Sequence, residues 1–401
     1  MRRLIACLIV CSAVAQAPAW SQSPIHSPPP IVDANDPAAA DRTVLFVPEG
    51  TIACAGGEVR PTASDAFAPS IHGATFASMP VGQRIERTAY DFTISSTGRP
   101  LSIRPVVDGG FSRLSLTTDA ETQAALASWT FPAEARADCR LTLRYTATPL
   151  ALAGDDVLVR YYGAARPSGA LRGAVERRLR RPGDDCERPP ALRNLAYPDF
   201  LVGRPRPGAR SWSALRWDVA ADGTTTAVET IGSSGDQVLD AEGRRAIAET
   251  TYRSGPRTGC LYNYWRQGPP LPAPPVNRDA PDDPLENCPE SFGTRFRASF
   301  LAFPPAFQAV GVEGWARIRF DAAPWGQIGN VSVVEAEPAA AFGEQALRIV
   351  SSSRVEPSFE AGIRCVVPVI FRLPASDDAD LARLPGSATG RSTPPTPPAP
   401  F

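Results

Sequence analysis

A glycine followed by a cysteine at a nearly fixed distance recurs three times in this chain, and that recurrence limits the fold more than any other feature. The pairs are Gly98 and Cys139, Gly223 and Cys260, and Gly326 and Cys365, separated by 41, 37 and 39 residues. A repeated distance from a turn residue to a thiol points to one supersecondary unit used several times. Ahead of each glycine the apolar residues alternate. Tyr90, Phe92 and Ile94 do so in the first stretch and Leu215, Trp217 and Val219 in the second, and in the third Trp315, Ile318 and Phe320 interleave with Arg317 and Arg319. Such alternation predicts a half-buried strand running into a hairpin.

After each glycine the pattern predicts a second strand, over 225–231 and 328–334, and around Leu101 and Ile103 in the first stretch. A helix should follow. Leu239, Ala246 and Ile247 form one apolar stripe, and Phe342, Ala346, Leu347 and Val350 form another; 120–129 suits a third helix. The final strand starts near the cysteine. The predicted fold class is α+β, with three small β-β-α-β units joined by proline-rich linkers.

The divisions expected are a secretory signal over 1–19, a first unit over 40–150, a linker helix over 151–181 and a second unit over 182–267. A proline-rich spacer over 268–284, a third unit over 285–374 and a disordered tail over 375–401 follow. The signal rests on Arg2 and Arg3 followed by an apolar run from Leu4 to Ala15, too short to span a bilayer. Its removal takes Cys7 and Cys11 and leaves six cysteines. An even number in an exported chain favours disulfides. Fifteen pairings are open to six cysteines, and spacing alone does not choose. The repeat does: one cysteine precedes each unit, giving Cys54–Cys139, Cys186–Cys260 and Cys288–Cys365 as the natural pairs. In the chain-entropy model a bridge across loops of that length contributes about 4–5 kcal/mol.

Little chemistry is offered. Net charge is −1, so no basic face for nucleic acid is implied, and the chain has no lysine for Schiff-base or phosphate-loop roles. Of the two histidines, His26 sits among prolines, and His72 near Ser70 lacks the setting of a nucleophile elbow. The cysteines lack metal-ligand spacing. Asp155-Asp156, Asp184-Asp185, Asp282-Asp283 and Asp377-Asp378 read as solvated turns. The stretch 168–181, with Leu171, Val175 and Leu179 among arginines, reads as a connecting helix with a solvated basic face rather than a membrane-surface helix. Trp20, Trp212, Trp265 and Trp325 are either binding anchors or core. No enzyme, cofactor or metal is expected.

The third stretch resembles the C-terminal domain of TonB, the envelope protein that couples inner-membrane energy to outer-membrane receptors. Phe303-Pro304, Glu313-Gly314, Gly326, Ala346-Leu347, Pro357, Gly362 and the run Val367-Pro368-Val369-Ile370-Phe371 carry the resemblance. The second stretch keeps Tyr197-Pro198, Asp222-Gly223, Ser233-Ser234-Gly235, Leu239-Asp240 and Pro256; the first keeps Gly98, the helix and 129–132. The resemblance implies three TonB C-terminal-like modules and a periplasmic role in binding proteins, whether outer-membrane receptors or other envelope proteins, in TonB-dependent transport. It implies strand addition at the last strand, through Val366, Val367, Pro368, Val369 and Phe371, where Pro368 suits an edge. Family members carry an uncleaved transmembrane helix and one such domain without disulfides. Those departures leave a structural or assembly factor of the envelope as the alternative.

Overall fold

Each of the three glycines folds a hairpin that leaves no room for a side chain. The structure, a computed structural model, describes residues 43–62, 72–75, 84–106, 119–164, 169–276, 285–289, 296–297, 302–357 and 362–373. Gly98, Gly223 and Gly326 have φ of +78°, +85° and +88°, in the left-handed region that favours glycine. A Cβ there would stand 2.2, 2.1 and 2.0 Å from the carbonyl oxygens of Phe131, Tyr252 and Val355. The approach is close because the N–H of each of those residues donates to the glycine carbonyl, at 2.8, 2.8 and 3.1 Å. The bond ties each hairpin to the chain that leaves the helix.

The first unit holds β1 (Thr43–Cys54), β2 (Gly57–Glu58), β3 (His72–Thr75), β4 (Arg84–Ile94), β5 (Pro100–Val106), helix α1 (Asp119–Ala127) and β6 (Arg136–Pro149). The sheet order is β2-β1-β6-β4-β5, with β3 paired to β1. Two helices follow, α2 (Asp155–Ala164) and α3 (Gly169–Leu179). The second unit holds β7 (Leu192–Asn194), β8 (Arg210–Val219), β9 (Thr225–Ser233), α4 (Gln237–Glu249), β10 (Thr251–Tyr252) and β11 (Arg257–Gln267), with sheet order β11-β8-β9. The third holds β12 (Phe296–Arg297), α5 (Pro305–Val310), β13 (Gly314–Ala322), β14 (Ile328–Glu337), α6 (Ala340–Ser351), β15 (Arg354–Val355) and β16 (Ile363–Phe371), ordered β14-β13-β16. In every case the first strand of the hairpin is central to the trio and the last strand pairs beside it. The chain is α+β.

The units pack on one another. One apolar core runs from Phe46, Tyr90, Ile103 and Leu126 of the first to Phe307, Phe320 and Phe342 of the third. Polar contacts fasten the same seam. The Ile103 N–H donates to the Pro338 carbonyl at 2.9 Å, and the N–H and hydroxyl of Ser102 donate to the Glu337 carboxylate at 2.8 and 2.6 Å. Helix α6 has no side-chain cap of its own at Ala339. Gln123 of α1 supplies one, its Oε1 accepting the Ala341 N–H at 3.1 Å.

The spacer expected over 268–284 is held in place over 268–276. The Leu271 N–H donates to Gly311, the Glu313 N–H to Leu271, and the Trp315 indole to the Pro274 carbonyl, at 2.7, 3.0 and 2.8 Å. A proline-rich segment has surplus carbonyls, and the third unit provides donors for them. Residues 277–284, the expected signal with Trp20 and His26, Ser70, both Asp282-Asp283 and Asp377-Asp378, and the expected tail lie outside the described residues.

Residues 151–181 form more than a linker. Leu158, Val159 and Tyr162 of α2, with Val175 and Leu179 of α3, cover one face of the β8 sheet at Trp212 and Ala214. The other face carries Leu215, Trp217 and Val219 against Leu239, Ala246 and Ile247 of α4. This second sheet is therefore buried on both sides, and Trp212 is core. The arginines of α3 are not simply solvated. Arg172 donates to Glu176, Tyr162 and Asn263, and Arg178 to the carbonyls of Leu150 and Ala153. Two aspartate pairs also depart from the solvated-turn reading. Asp155 and Asp156 open α2, where carboxylates favour the helix dipole. Asp184 forms a nearly buried ion pair with Arg216 at 2.6 Å.

Three disulfides join Cys54–Cys139, Cys186–Cys260 and Cys288–Cys365, the pairs the repeat suggested.

Candidate partner-binding edge

Strand β16 is the last strand of the third sheet, and its side chains divide by parity. Cys365 and Phe371 are buried, and Val367 and Val369 pack partly against the core. Arg364, Val366, Pro368 and Ile370 lie on the opposite face, where Pro368 and Ile370 are exposed. Strand β13 holds β16 in register from Gly314 opposite Phe371 to Ala322 opposite Ile363, with Arg317 opposite Pro368.

The backbone follows the same parity. The Arg364 N–H donates outward to the Asn287 side chain at 2.6 Å, and its carbonyl accepts the Asn287 N–H at 3.1 Å. The Val366 N–H donates outward to Glu286 Oε1 at 3.2 Å. Strand alternation then aims positions 368 and 370 to the same side. Pro368 has no N–H there, so the strand loses no ladder bond to β13 through its ring. Residues 286–288 therefore line the start of the outer edge, and the run from Val367 to Phe371 continues beyond them.

In the first unit the corresponding edge is covered along its length. Strand β1 lies antiparallel on β6 from Val44 opposite Pro149 to Ala53 opposite Arg140. Cys54 follows at once, bonded to Cys139. In the second unit the cover is short again. The N–H groups of Asp185 and Cys186 donate to the Thr258 carbonyl at 3.1 and 3.0 Å, and the Thr258 N–H donates to Asp185 Oδ1 at 2.7 Å.

Of the residues that the sequence singled out at this strand, Val366 and Pro368 present side chains beside the outer edge, and Val367 and Val369 lean into the core. Phe371 is only 5% exposed, its ring 5.4 Å from Phe342 and 5.9 Å from Phe303; it anchors the strand. Ile370, 44% exposed, was missed, although counting in twos from Cys365 puts it with Val366 and Pro368. Glu286 and Asn287 were missed because no local pattern announces a contact across 77 residues of chain.

Beside the start of β16 a shallow cleft of about 590 Å³ is lined by Leu285, Trp325 and Ile328 and by the Asp321–Arg364 ion pair. The hydrogen bond from Arg364 holds the Asp321 carboxyl below the usual range, and Asn330 assists. Trp325 is 69% exposed there. Trp265, also exposed, stacks with Arg210 in the second unit. His72 lies on β3, opposite Phe46 in the register. Among the described residues no group of His, Cys, Asp or Glu stands together to hold a metal, and no helix is long and apolar enough to cross a membrane.

Residues 300–373 match the family model described as the Gram-negative bacterial TonB protein C-terminal. A relative, Protein TonB of Escherichia coli (strain K12), is 31% identical over 71 residues, a match that spans 18% of this chain and 29% of that protein. The matched segment takes in α5, the β13–β14 hairpin, α6 and the closing strand β16, so the third unit, with the edge just described, belongs to the TonB C-terminal domain family.

Proposed function

We propose that this chain is a protein-binding component of the bacterial envelope that receives an extended segment of a partner along β16 by strand addition. The partner is an outer-membrane receptor or another envelope protein, and the first and second units are degenerate copies of the same domain. The observation that carries this reading is β1 on β6. Within this chain, a closing strand preceded by the same turn and helix and bearing the same disulfide already carries an added antiparallel strand. An exposed sheet edge presents unpaired amide and carbonyl groups, and adding a strand satisfies them. Three disulfides fit an oxidising compartment such as the periplasm. The role is binding, not catalysis. Site-directed photo-crosslinking from position 370 in cells tests it: adducts with envelope proteins are expected, and their absence together with normal crosslinking from a control position at Trp265 would count against it.

A second reading is favoured by the shared core of the first and third units and by the anchored 268–276 segment. A body fastened in this way suits a structural or assembly factor. Deleting 277–284 would then impair function while substitutions along β16 leave it intact.

A further inference from the structure

The chain enters its second and third sheets in the same way. An aromatic-proline pair, Tyr197-Pro198 or Phe303-Pro304, leads into a short turn of chain that reaches a glycine with positive φ, Gly203 at +55° and Gly311 at +70°. In the third unit that turn is α5, and helix α1 of the first unit lies against it. Ala120, Ala124 and Ala127 recur along one face of α1 and share a core with Phe307 of α5 and Ala341 at the start of α6. Gln123 caps α6 across the same contact. In the second unit the corresponding parts face outward. Leu201, like Phe307, is the third residue after the proline, and Val238, like Ala341, is the second residue of its helix. Leu201, Val202 and Val238 are 64%, 50% and 36% exposed, where Phe307 and Ala341 are 0% and 4%. Tyr197 is exposed as well, whereas Phe303 packs on Phe342 and Phe371.

This surface is held in shape from within the second unit. Arg266 is buried, donates to the carbonyls of Val202 and Gly203 at 2.6 and 2.8 Å, and forms an ion pair with Asp236 at 2.7 Å. Asp236 in turn caps α4, its side chain accepting the Leu239 N–H at 3.1 Å. The Asp199 N–H donates to Glu242, and Arg245 donates to the Tyr197 carbonyl, at 2.9 and 3.0 Å. Val238 packs on the turn at Gly203, where a Cβ would come within 3.0 Å of it. Helix α6 takes its cap from α1, whereas α4 supplies its own, so the groove between entry turn and helix start is preorganised while its apolar side chains stay exposed. We propose that Leu201, Val202 and Val238 form a docking groove for a short helix of a partner protein, one carrying alanine or other small apolar residues at i, i+4 and i+7 as α1 does. Small side chains let helical segments approach closely. Because Asp236 already satisfies the start of α4, the incoming helix needs no counterpart of Gln123. The groove belongs to another unit than β16, and its occupancy does not depend on strand addition there.

The test uses the full chain and a synthetic peptide of residues 119–129, lengthened by EAAAK repeats that hold it helical. Binding is read by fluorescence anisotropy and its location by amide exchange. The expected result is saturable binding with slowed exchange over 199–203 and at the start of α4, weakened roughly tenfold or more by Leu201→Asp and by Val238→Asp. Both side chains are exposed, so the circular dichroism and unfolding midpoint of these variants should match those of the unsubstituted chain. Ile370→Lys should leave peptide binding unchanged, and Ala124→Arg in the peptide should abolish it. The proposal is overturned if the peptide does not bind, if it binds both groove variants as tightly as the unsubstituted chain, or if protection falls elsewhere. Self-association that Leu201→Asp abolishes, without peptide binding, would give the groove to a second copy of the chain and overturn the partner helix.

Discussion

Strands β6 and β16 follow the same glycine turn and the same helix and carry the same kind of disulfide near their starts, yet their outer edges differ. A strand of the same chain covers β6 over ten residue pairs, whereas among the described residues it is 286–288 that lie beside β16, at its start. The segments ahead of the two closing strands differ in the same way: apolar on both faces at Val44–Val47, but acidic and amidic at Glu286–Asn287 ahead of the third unit.

The comparison breaks most severely if β1 is loosened. Phe46 is fully buried in the core shared by the first and third units. Phe46→Ala should cost about 3–5 kcal/mol in denaturant unfolding and loosen β1 from β6, read as faster amide exchange along 140–149. Next in size is the seam between the units. Gln123→Ala removes the cap on the Ala341 N–H and should cost about 1 kcal/mol, with faster amide exchange at the start of α6.

A smaller effect is one of slope. Burial pushes the Glu337 carboxyl up, opposed by its bonds from Ser102. The folded protein therefore holds this proton at pH values where the unfolded chain has released it, and the group's contribution to stability falls as pH rises from the ordinary carboxylate value through the raised one. Glu337→Gln should flatten stability across that window while keeping an acceptor for Ser102. Asp91 and Asp321, held low by Arg140 and Arg364, act with the opposite sign: their contribution is present above the ordinary aspartate value and lost as pH falls below it. The smallest change in stability belongs to the outer edge of β16. Ile370→Lys should shift unfolding by less than about 0.5 kcal/mol, since the side chain is exposed, while abolishing the partner crosslinks that the proposed strand addition calls for. A loss of stability comparable to that of Phe46→Ala would mean that this edge, too, is covered.

The hairpins, helices and closing strands were legible because each rests on local rules: a glycine at positive φ, alternation of two, an apolar stripe. Strand β1 was not. Its run from Val44 to Val47 lacks alternation because Val44 and Phe46 face the shared core while Leu45 faces the core under α2 and α3, and Pro48 and Gly50 argue against a strand. The helix at Asp155–Ala164 was hidden by its own acidic start, which resembles a turn. The buried pair of Asp184 with Arg216, and the Glu286 and Asn287 contacts to β16, join residues far apart in sequence, and no window along the chain contains both partners.

The trans-capping of α6 by Gln123 has a practical meaning for anyone who would excise the recognised segment. Residues 300–373 share a sequence lineage, but cut out alone they would lose Gln123 at a helix start, Ser102 over a buried carboxylate and the wall against which Phe307 packs. Similarity and self-sufficiency end at different places in this chain: the stretch that can be named is shorter than the stretch that can stand by itself.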